Sequence, residues 1–181
     1  ALLPALAVGA GFQGPRALIV ALLSVSTCVV AEYLYARITK SRNTAVDGSA
    51  VVTGLLLAMT LPATVPYWLV ILGDVFAIIF VKALCGGLGQ NIFNPALAAR
   101  AFMLLIFPVG LTRFEGLDGV TAATPLHHMV MPALPEESIM DMFLGNCPGS
   151  IGEISALALL LGGVYLVLRK VISARIPLAY L

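Results

Sequence analysis

The chain has 181 residues and a formal net charge of +1, and it is 60% hydrophobic and only 10% charged. Its mean hydropathy is +1.03, whereas soluble domains carry about 25% charged residues. This composition excludes a soluble enzyme, a disordered tail and a nucleic-acid-binding protein with a basic patch. The apolar residues form long blocks and do not alternate with polar ones as they do in a transmembrane barrel. We therefore predict an all-α, polytopic transmembrane helix bundle.

The apolar blocks give the positions of the membrane spans, each of which needs about 20 residues to cross the hydrocarbon. The chain begins inside one apolar block and ends at the start of another, and no basic segment typical of a signal peptide precedes the first. We expect a single transmembrane domain over residues 1–181 that is truncated at both ends. The predicted spans cover residues 1–11, 17–36, 46–61, 67–84, 95–111 and 151–168.

Basic residues beside the spans predict the orientation, because Lys and Arg concentrate on the cytoplasmic side. Two clusters follow predicted spans, and an even number of spans separates them, so both can face the cytoplasm. The two clusters are Arg37, Lys40 and Arg42, and Arg169, Lys170 and Arg175. This orientation predicts that residues 112–150, which are rich in acidic side chains, lie on the outer side.

The segment between the fourth and fifth spans predicts a broken or re-entrant element near residues 85–95. Pro95 suits the first turn of the next helix and Asn94 suits its N-cap. Non-helical backbone at membrane depth must line a cavity or be covered by protein, so this segment could bind a planar ligand through N–H groups and carboxamides. A plain capped cytoplasmic turn remains open as the alternative. The candidate ligand-binding residues are Gly86, Gly87, Gly89, Asn91 and Asn94.

Charged residues within the predicted spans form a second group of candidates, because such residues are costly in lipid and usually serve a pathway or a partner. Asp74 lies deepest and is the leading candidate for binding an ion or proton. A structural hydrogen bond to a neighbouring helix is the alternative for Asp74. We expect Glu32 and Lys82 to snorkel towards the cytoplasmic surface, and Glu153 to lie at the start of the last helix. The candidates for an ion pathway are Asp74, Lys82, Glu32 and Arg100.

The outer segment contains a turn of small residues with one carboxylate and two hydroxyls, at Asp118, Thr121 and Thr124. From physical chemistry alone this turn could be an ordinary loop. The neighbouring pair His127 and His128 is weak evidence for a metal site. The three cysteines at positions 28, 85 and 147 form no paired motif, so no metal site is predicted.

Three stretches together, residues 47–62, 86–102 and 118–126, resemble one family of membrane proteins. The family comprises RnfD, from the Rnf complex, an ion-translocating ferredoxin:NAD oxidoreductase, and its homologue NqrB, from the sodium-translocating NADH:quinone oxidoreductase. The sequence Gly-Leu-Gly-Gln-Asn at residues 87–91 is more similar to the Rnf protein. The resemblance covers nearly the whole chain.

The resemblance implies a covalent flavin in the segment 112–150. In this family a flavin transferase attaches FMN to a Thr hydroxyl through a phosphoester. The family pattern implies Thr124 as the acceptor and Asp118, Thr121 and Ala123 as residues that the transferase recognises. Ala122 departs from the pattern, which more often has Gly at that position.

The resemblance also implies a non-covalent riboflavin near Asn91 and Asn94, and a role in a redox-driven pump for Na⁺ or H⁺. The partners it implies are the lipid bilayer, the flavin transferase and other subunits of an oxidoreductase in a bacterial or archaeal cytoplasmic (inner) membrane. No dinucleotide-binding glycine motif follows a strand, so nicotinamide chemistry would belong to another subunit. Two alternatives stay open: a subunit of the NADH:quinone reductase, and a non-redox secondary transporter or channel.

Overall fold

A computed structural model describes residues 1–40, 47–84, 91–112, 114–115, 121–122, 139–145, 149–175 and 179. These residues form the predicted helix bundle, with one short antiparallel pair of strands, β1 (Phe114–Glu115) and β2 (Thr121–Ala122). The helices are α1 (Leu3–Gln13), α2 (Pro15–Thr39), α3 (Ser49–Met59), α4 (Tyr67–Val75), α5 (Pro95–Ile106), α6 (Pro108–Leu111), α7 (Ile139–Leu144) and α8 (Ala156–Leu168). A π-helical segment, Phe76–Ala83, continues α4 without a break.

Helix α2 lies at the centre of the bundle and packs against α1, α3, α4 and the π-helical segment. Among the described helices it alone has the length and hydropathy to cross a bilayer by itself, while α1, α3, α5 and α8 are shorter apolar helices. Small residues on its buried face, such as Ala17 and Ala21, allow close packing against Leu57 and Ala58 of α3. This close packing brings polar groups of neighbouring helices within hydrogen-bond distance.

Two predicted spans contain less helix than the sequence indicated. Helix α3 ends at Met59, so it is only about 16 Å long at 1.5 Å per residue. The chain then makes a buried turn in which Leu61 and Val65 are fully covered. The predicted last span, 151–168, becomes helical only at Ala156, where the Ser155 side chain accepts a hydrogen bond from the backbone N–H of Ala158.

The two non-helical turns bind each other. The backbone N–H of Ile151 donates to the Leu61 carbonyl over 3.0 Å, and that of Gly152 donates to the Met59 carbonyl over 2.8 Å. Gly152 is required for this approach, because a Cβ there would lie 2.7 Å from the Met59 Cβ. Backbone groups that would otherwise be unpaired inside a membrane protein are thereby satisfied.

The fifth predicted span begins as expected and is interrupted near its end. Pro95 occupies the first turn of α5, and Asn94 Oδ1 accepts from the backbone N–H of Ala96 over 3.0 Å, which confirms the predicted cap. Helix α5 stops at Ile106, and Phe107 leaves the helical region with φ −128° and ψ 55°. Pro108 explains the interruption, because a proline disfavours helical backbone in the residue before it.

Candidate functional site

A cavity of about 530 Å³ opens between the start of α3, the end of the π-helical segment and the start of α5. Its lining combines carboxamides, hydroxyls and one ammonium group with apolar side chains. The polar lining residues are Ser49, Thr53, Lys82, Asn91 and Asn94, and the apolar ones are Val52, Leu56, Ile92, Phe93 and Pro95. Small-molecule sites typically have this volume and a few polar groups in a mostly apolar wall.

The structure brings the two predicted asparagines to the same cavity. Asn94 uses Oδ1 to cap α5, so the group it can offer to a ligand is its Nδ2 donor. Ile92 and Phe93, between the asparagines, are largely exposed. Gly86, Gly87 and Gly89, the other members of the predicted site, lie outside the described residues.

Lys82 forms the buried polar wall of the cavity, and the expectation that it snorkels is wrong. Its Nζ donates to Glu32 Oε1 over 2.7 Å and to Ser49 Oγ over 2.6 Å. Lys82 is 3% exposed and Glu32 is 5% exposed, so the expectation that Glu32 snorkels is also wrong. The ion pair keeps both charges inside the bundle, where an opposite charge offsets much of the cost of burial.

The π-helical segment places Lys82 on the side that faces α2. Asp74 lies opposite Ser24, and Lys82 lies opposite Glu32, so both pairs advance by eight residues and the two elements run in the same direction. π-Helical turns are rare and often occur at functional sites. The predicted shared face of Asp74 and Lys82 is confirmed by these contacts.

Asp74 is fully buried and contacts α2 through two side chains. Ser24 Oγ lies 2.6 Å from Asp74 Oδ1, and Cys28 Sγ donates to the same oxygen over 3.3 Å. The predicted alternative, a hydrogen bond to a neighbouring helix, is thus present, while a role in ion binding stays a prediction. The sequence analysis missed Ser24 and Cys28, although Ser24, Cys28 and Glu32 recur every four residues along one face of α2.

Arg100 and Glu153 form a second, more exposed pair, with Arg100 Nη1 3.5 Å from Glu153 Oε1. Glu153 precedes α8 and lies in the turn before Ser155, so the expectation that it begins the last helix is wrong. Because both side chains are partly exposed, their pairing contributes little to stability.

The predicted covalent-flavin segment is described only at its strands. Thr121 belongs to β2 and its backbone pairs with Glu115 of β1. Asp118, Ala123 and Thr124 lie outside the described residues, as do Cys85, Cys147, His127 and His128. The assignment of Thr124 therefore stays a prediction.

Comparison with known proteins identifies relatives along the whole chain. A model described as the NQR2, RnfD, RnfE family matches residues 1–181. The chain is 47% identical over 189 residues to the D subunit of the Na(+)-translocating ferredoxin:NAD(+) oxidoreductase complex of Acetobacterium woodii, and the match covers 100% of this chain and 59% of that protein. It is 40% identical over 191 residues to the D subunit of the proton-translocating ferredoxin:NAD(+) oxidoreductase complex of Clostridium ljungdahlii, with 98% and 58% covered.

The second branch of the family is also represented. The chain is 38% identical over 157 residues to the B subunit of the Na(+)-translocating NADH-quinone reductase of Pseudoalteromonas atlantica, and the match covers 83% of this chain and 38% of that protein. The chain spans less than two thirds of the length of each of these relatives. The match over all 181 residues and the identities above 30% show that the chain belongs to the NQR2, RnfD, RnfE family.

Proposed function

We propose that the chain is a membrane subunit of an ion-translocating ferredoxin:NAD oxidoreductase, in which flavins carry electrons while Na⁺ or H⁺ crosses the membrane. The similarity to the D subunits of two such complexes supports the proposal. Nicotinamide chemistry would take place in another subunit of the complex. A subunit of the sodium-translocating NADH:quinone reductase is the alternative, supported by the relative from Pseudoalteromonas.

The observation that carries the proposal is the cavity that joins Asn91, Asn94, Lys82 and Ser49. Its volume of about 530 Å³ suits a small planar cofactor, and its polar groups suit the carbonyl and imide edges of riboflavin. When bound, riboflavin would supply the electron-carrying chemistry, and the protein would supply binding and electronic tuning. A non-redox transporter would need no such flavin.

Each polar side chain of the cavity has a distinct role in this proposal. The carboxamides of Asn91 and Asn94 hydrogen-bond the polar edge of the ring system. Lys82 places a positive charge in the cavity wall, which favours negative charge on a bound ligand. The Glu32 carboxylate and the Ser49 hydroxyl hold the Lys82 ammonium in position. Apolar side chains such as Phe93 cover the ring faces.

The second flavin in the proposal is FMN, joined by a phosphoester to Thr124 on the outer side of the membrane. Asp118, Thr121 and Ala123 would be recognised by the flavin transferase. The distribution of basic residues supports an outer location for this segment. In-gel flavin fluorescence of the denatured chain tests the attachment, and Thr124→Ala should abolish the signal if Thr124 is the acceptor.

For the ion pathway we propose the buried groups Asp74, Glu32 and Lys82. Arg100 is less suited to the pathway, because it already pairs with Glu153 near the surface. The names of the relatives include both a Na⁺-translocating and a proton-translocating complex, so the transported ion is left as Na⁺ or H⁺.

The riboflavin site is tested by the flavin released when the purified complex is denatured. Asn91→Ala combined with Asn94→Ser should lower the riboflavin content by at least half, because both carboxamides are lost. Ser at position 94 keeps an oxygen that can cap α5, so the loss would not reflect a damaged helix. Thr112→Val, a polar residue outside the cavity, is the control and should keep the riboflavin. Unchanged riboflavin in the double variant would refute the site.

A further inference from the structure

The junction of α2, α3 and α4 contains a buried carboxyl group that the riboflavin cavity does not include. Asp74 and its neighbours Ser24 and Cys28 are all 0% exposed. The junction is closed by Gly54 of α3, where an added Cβ would lie 2.9 Å from the Ser24 carbonyl oxygen and 2.9 Å from the Val25 Cα. The glycine therefore allows the α3 backbone to reach the side chains of α2 and α4.

The hydrogen bonds of Ser24 reveal the protonation state of this junction. Ser24 Oγ lies 2.8 Å from the Gly54 carbonyl oxygen and 2.6 Å from Asp74 Oδ1. A hydroxyl has a single hydrogen, and a carbonyl oxygen can only accept. If Asp74 is ionised, two acceptors compete for the one Ser24 hydrogen. If Asp74 is protonated, its carboxyl donates to Ser24 Oγ, and Ser24 donates to the Gly54 carbonyl, so both short contacts are hydrogen bonds.

The charges around the junction point to the same state. Among the described residues, Asp74 Oδ2 is buried without a hydrogen-bond partner, and the ion pairs found there do not include Asp74. The charged groups on the elements packed against it are engaged elsewhere: Lys82 with Glu32, Arg100 with Glu153, Arg16 with the Thr64 carbonyl and Arg37 with the Tyr33 hydroxyl. An ionised carboxylate in a buried site without a compensating charge is strongly disfavoured.

We propose that Asp74 is a proton-binding site whose neutral carboxyl group is held by Ser24 and, through Ser24, by the Gly54 carbonyl. The proton leaves or enters at Asp74 Oδ1, and its loss leaves a carboxylate that Ser24 and Cys28 can still stabilise by donating hydrogens. The transport role of this proton rests on the proposed pump function, whereas its presence on Asp74 does not.

The proposal is tested by infrared spectroscopy of the purified complex at neutral pH, where a protonated carboxyl group gives a carbonyl stretch that a carboxylate lacks. In the difference spectrum between the wild type and Asp74→Asn, the band should be lost. The matched control is Glu32→Gln, which removes a buried carboxylate that pairs with Lys82 and should leave the band in place. Ser24→Ala removes the partner of the proton and should shift the band.

A spectrum without a protonated-carboxyl band that depends on Asp74 overturns the proposal. If Asp74→Asn does not assemble, the Ser24→Ala spectrum decides: a shifted band supports the site, and an unshifted band overturns it. The measurement reads the carboxyl group and not the flavin. A complex that shows the band but contains no flavin would therefore contradict the proposed pump function and leave the proton site intact.

Discussion

Glu32 and Asp74 are both buried carboxyl groups at the contact between α2 and the continuous α4 and π-helical segment, yet their surroundings differ. Glu32 faces the Lys82 ammonium at 2.7 Å beside the cavity. Within the described part of the chain, Asp74 faces only the neutral groups of Ser24 and Cys28. The same pair of elements therefore contains a charged pair at one level and a neutral polar cluster at the other. The comparison teaches that a buried carboxyl group must be interpreted through its partners, because depth alone does not fix its charge.

The largest effect is expected from breaking the charged level. Lys82→Met leaves Glu32 buried without its ammonium partner, which should lower the free energy of unfolding by about 3–5 kcal/mol. Thermal unfolding of the purified chain measures the loss. The double variant Lys82→Met with Glu32→Leu should recover most of the stability, since it removes both charges. A single variant that is no less stable than the double would contradict the ion pair.

A smaller effect is expected where the helices meet at the neutral level. Gly54→Ala forces a Cβ to within 2.9 Å of the α2 backbone, and such overpacking costs about 1–3 kcal/mol. Gly163→Ala in α8 is the matched control, because no atom of the described residues lies within 4 Å of its added Cβ. That control should be neutral or stabilising, since Ala favours helix over Gly. Equal effects of the two variants would argue against close packing at the junction.

The helix cap beside the cavity should contribute about 1 kcal/mol. Asn94→Ala removes the acceptor for the Ala96 N–H and should lower the unfolding temperature. Asn94→Ser should restore most of that stability without restoring the carboxamide. The two variants thus separate capping from ligand binding, and equal instability of both would show that the carboxamide stabilises the fold in some other way.

The smallest effect on stability is expected from neutralising Asp74. Asp74→Asn replaces a neutral carboxyl group by a neutral amide of the same shape, so the unfolding free energy should change by about 1 kcal/mol or less. Glu32→Gln should cost more, because it leaves the Lys82 charge without its carboxylate. Ion uptake by reconstituted complexes should nevertheless be lost in Asp74→Asn. A destabilisation larger than that of Glu32→Gln would contradict the difference between the two levels.

The sequence predicted the bundle, the caps and the shared face of Asp74 and Lys82, because helix length, proline positions and the 3.6-residue period are local properties. It placed Asn91 and Asn94 in one candidate site for the same reason. It did not predict that the Leu61 and Ile151 turns bind each other, because that contact joins residues distant in the chain. The Glu32–Lys82 pair was missed for a related reason: snorkelling was inferred from distance to a helix end, and the partner lies on another helix.

The proposed function is tested most directly by counting the flavins of the wild-type chain in its purified complex. After denaturation, FMN should remain attached to the chain and riboflavin should be released, each in about equal molar amount to the chain. Thr124→Ala should lose only the attached FMN, and Asn91→Ala with Asn94→Ser should lose only the released riboflavin. A complex that transports ions while its wild-type chain contains neither flavin would contradict the account and favour a non-redox transporter.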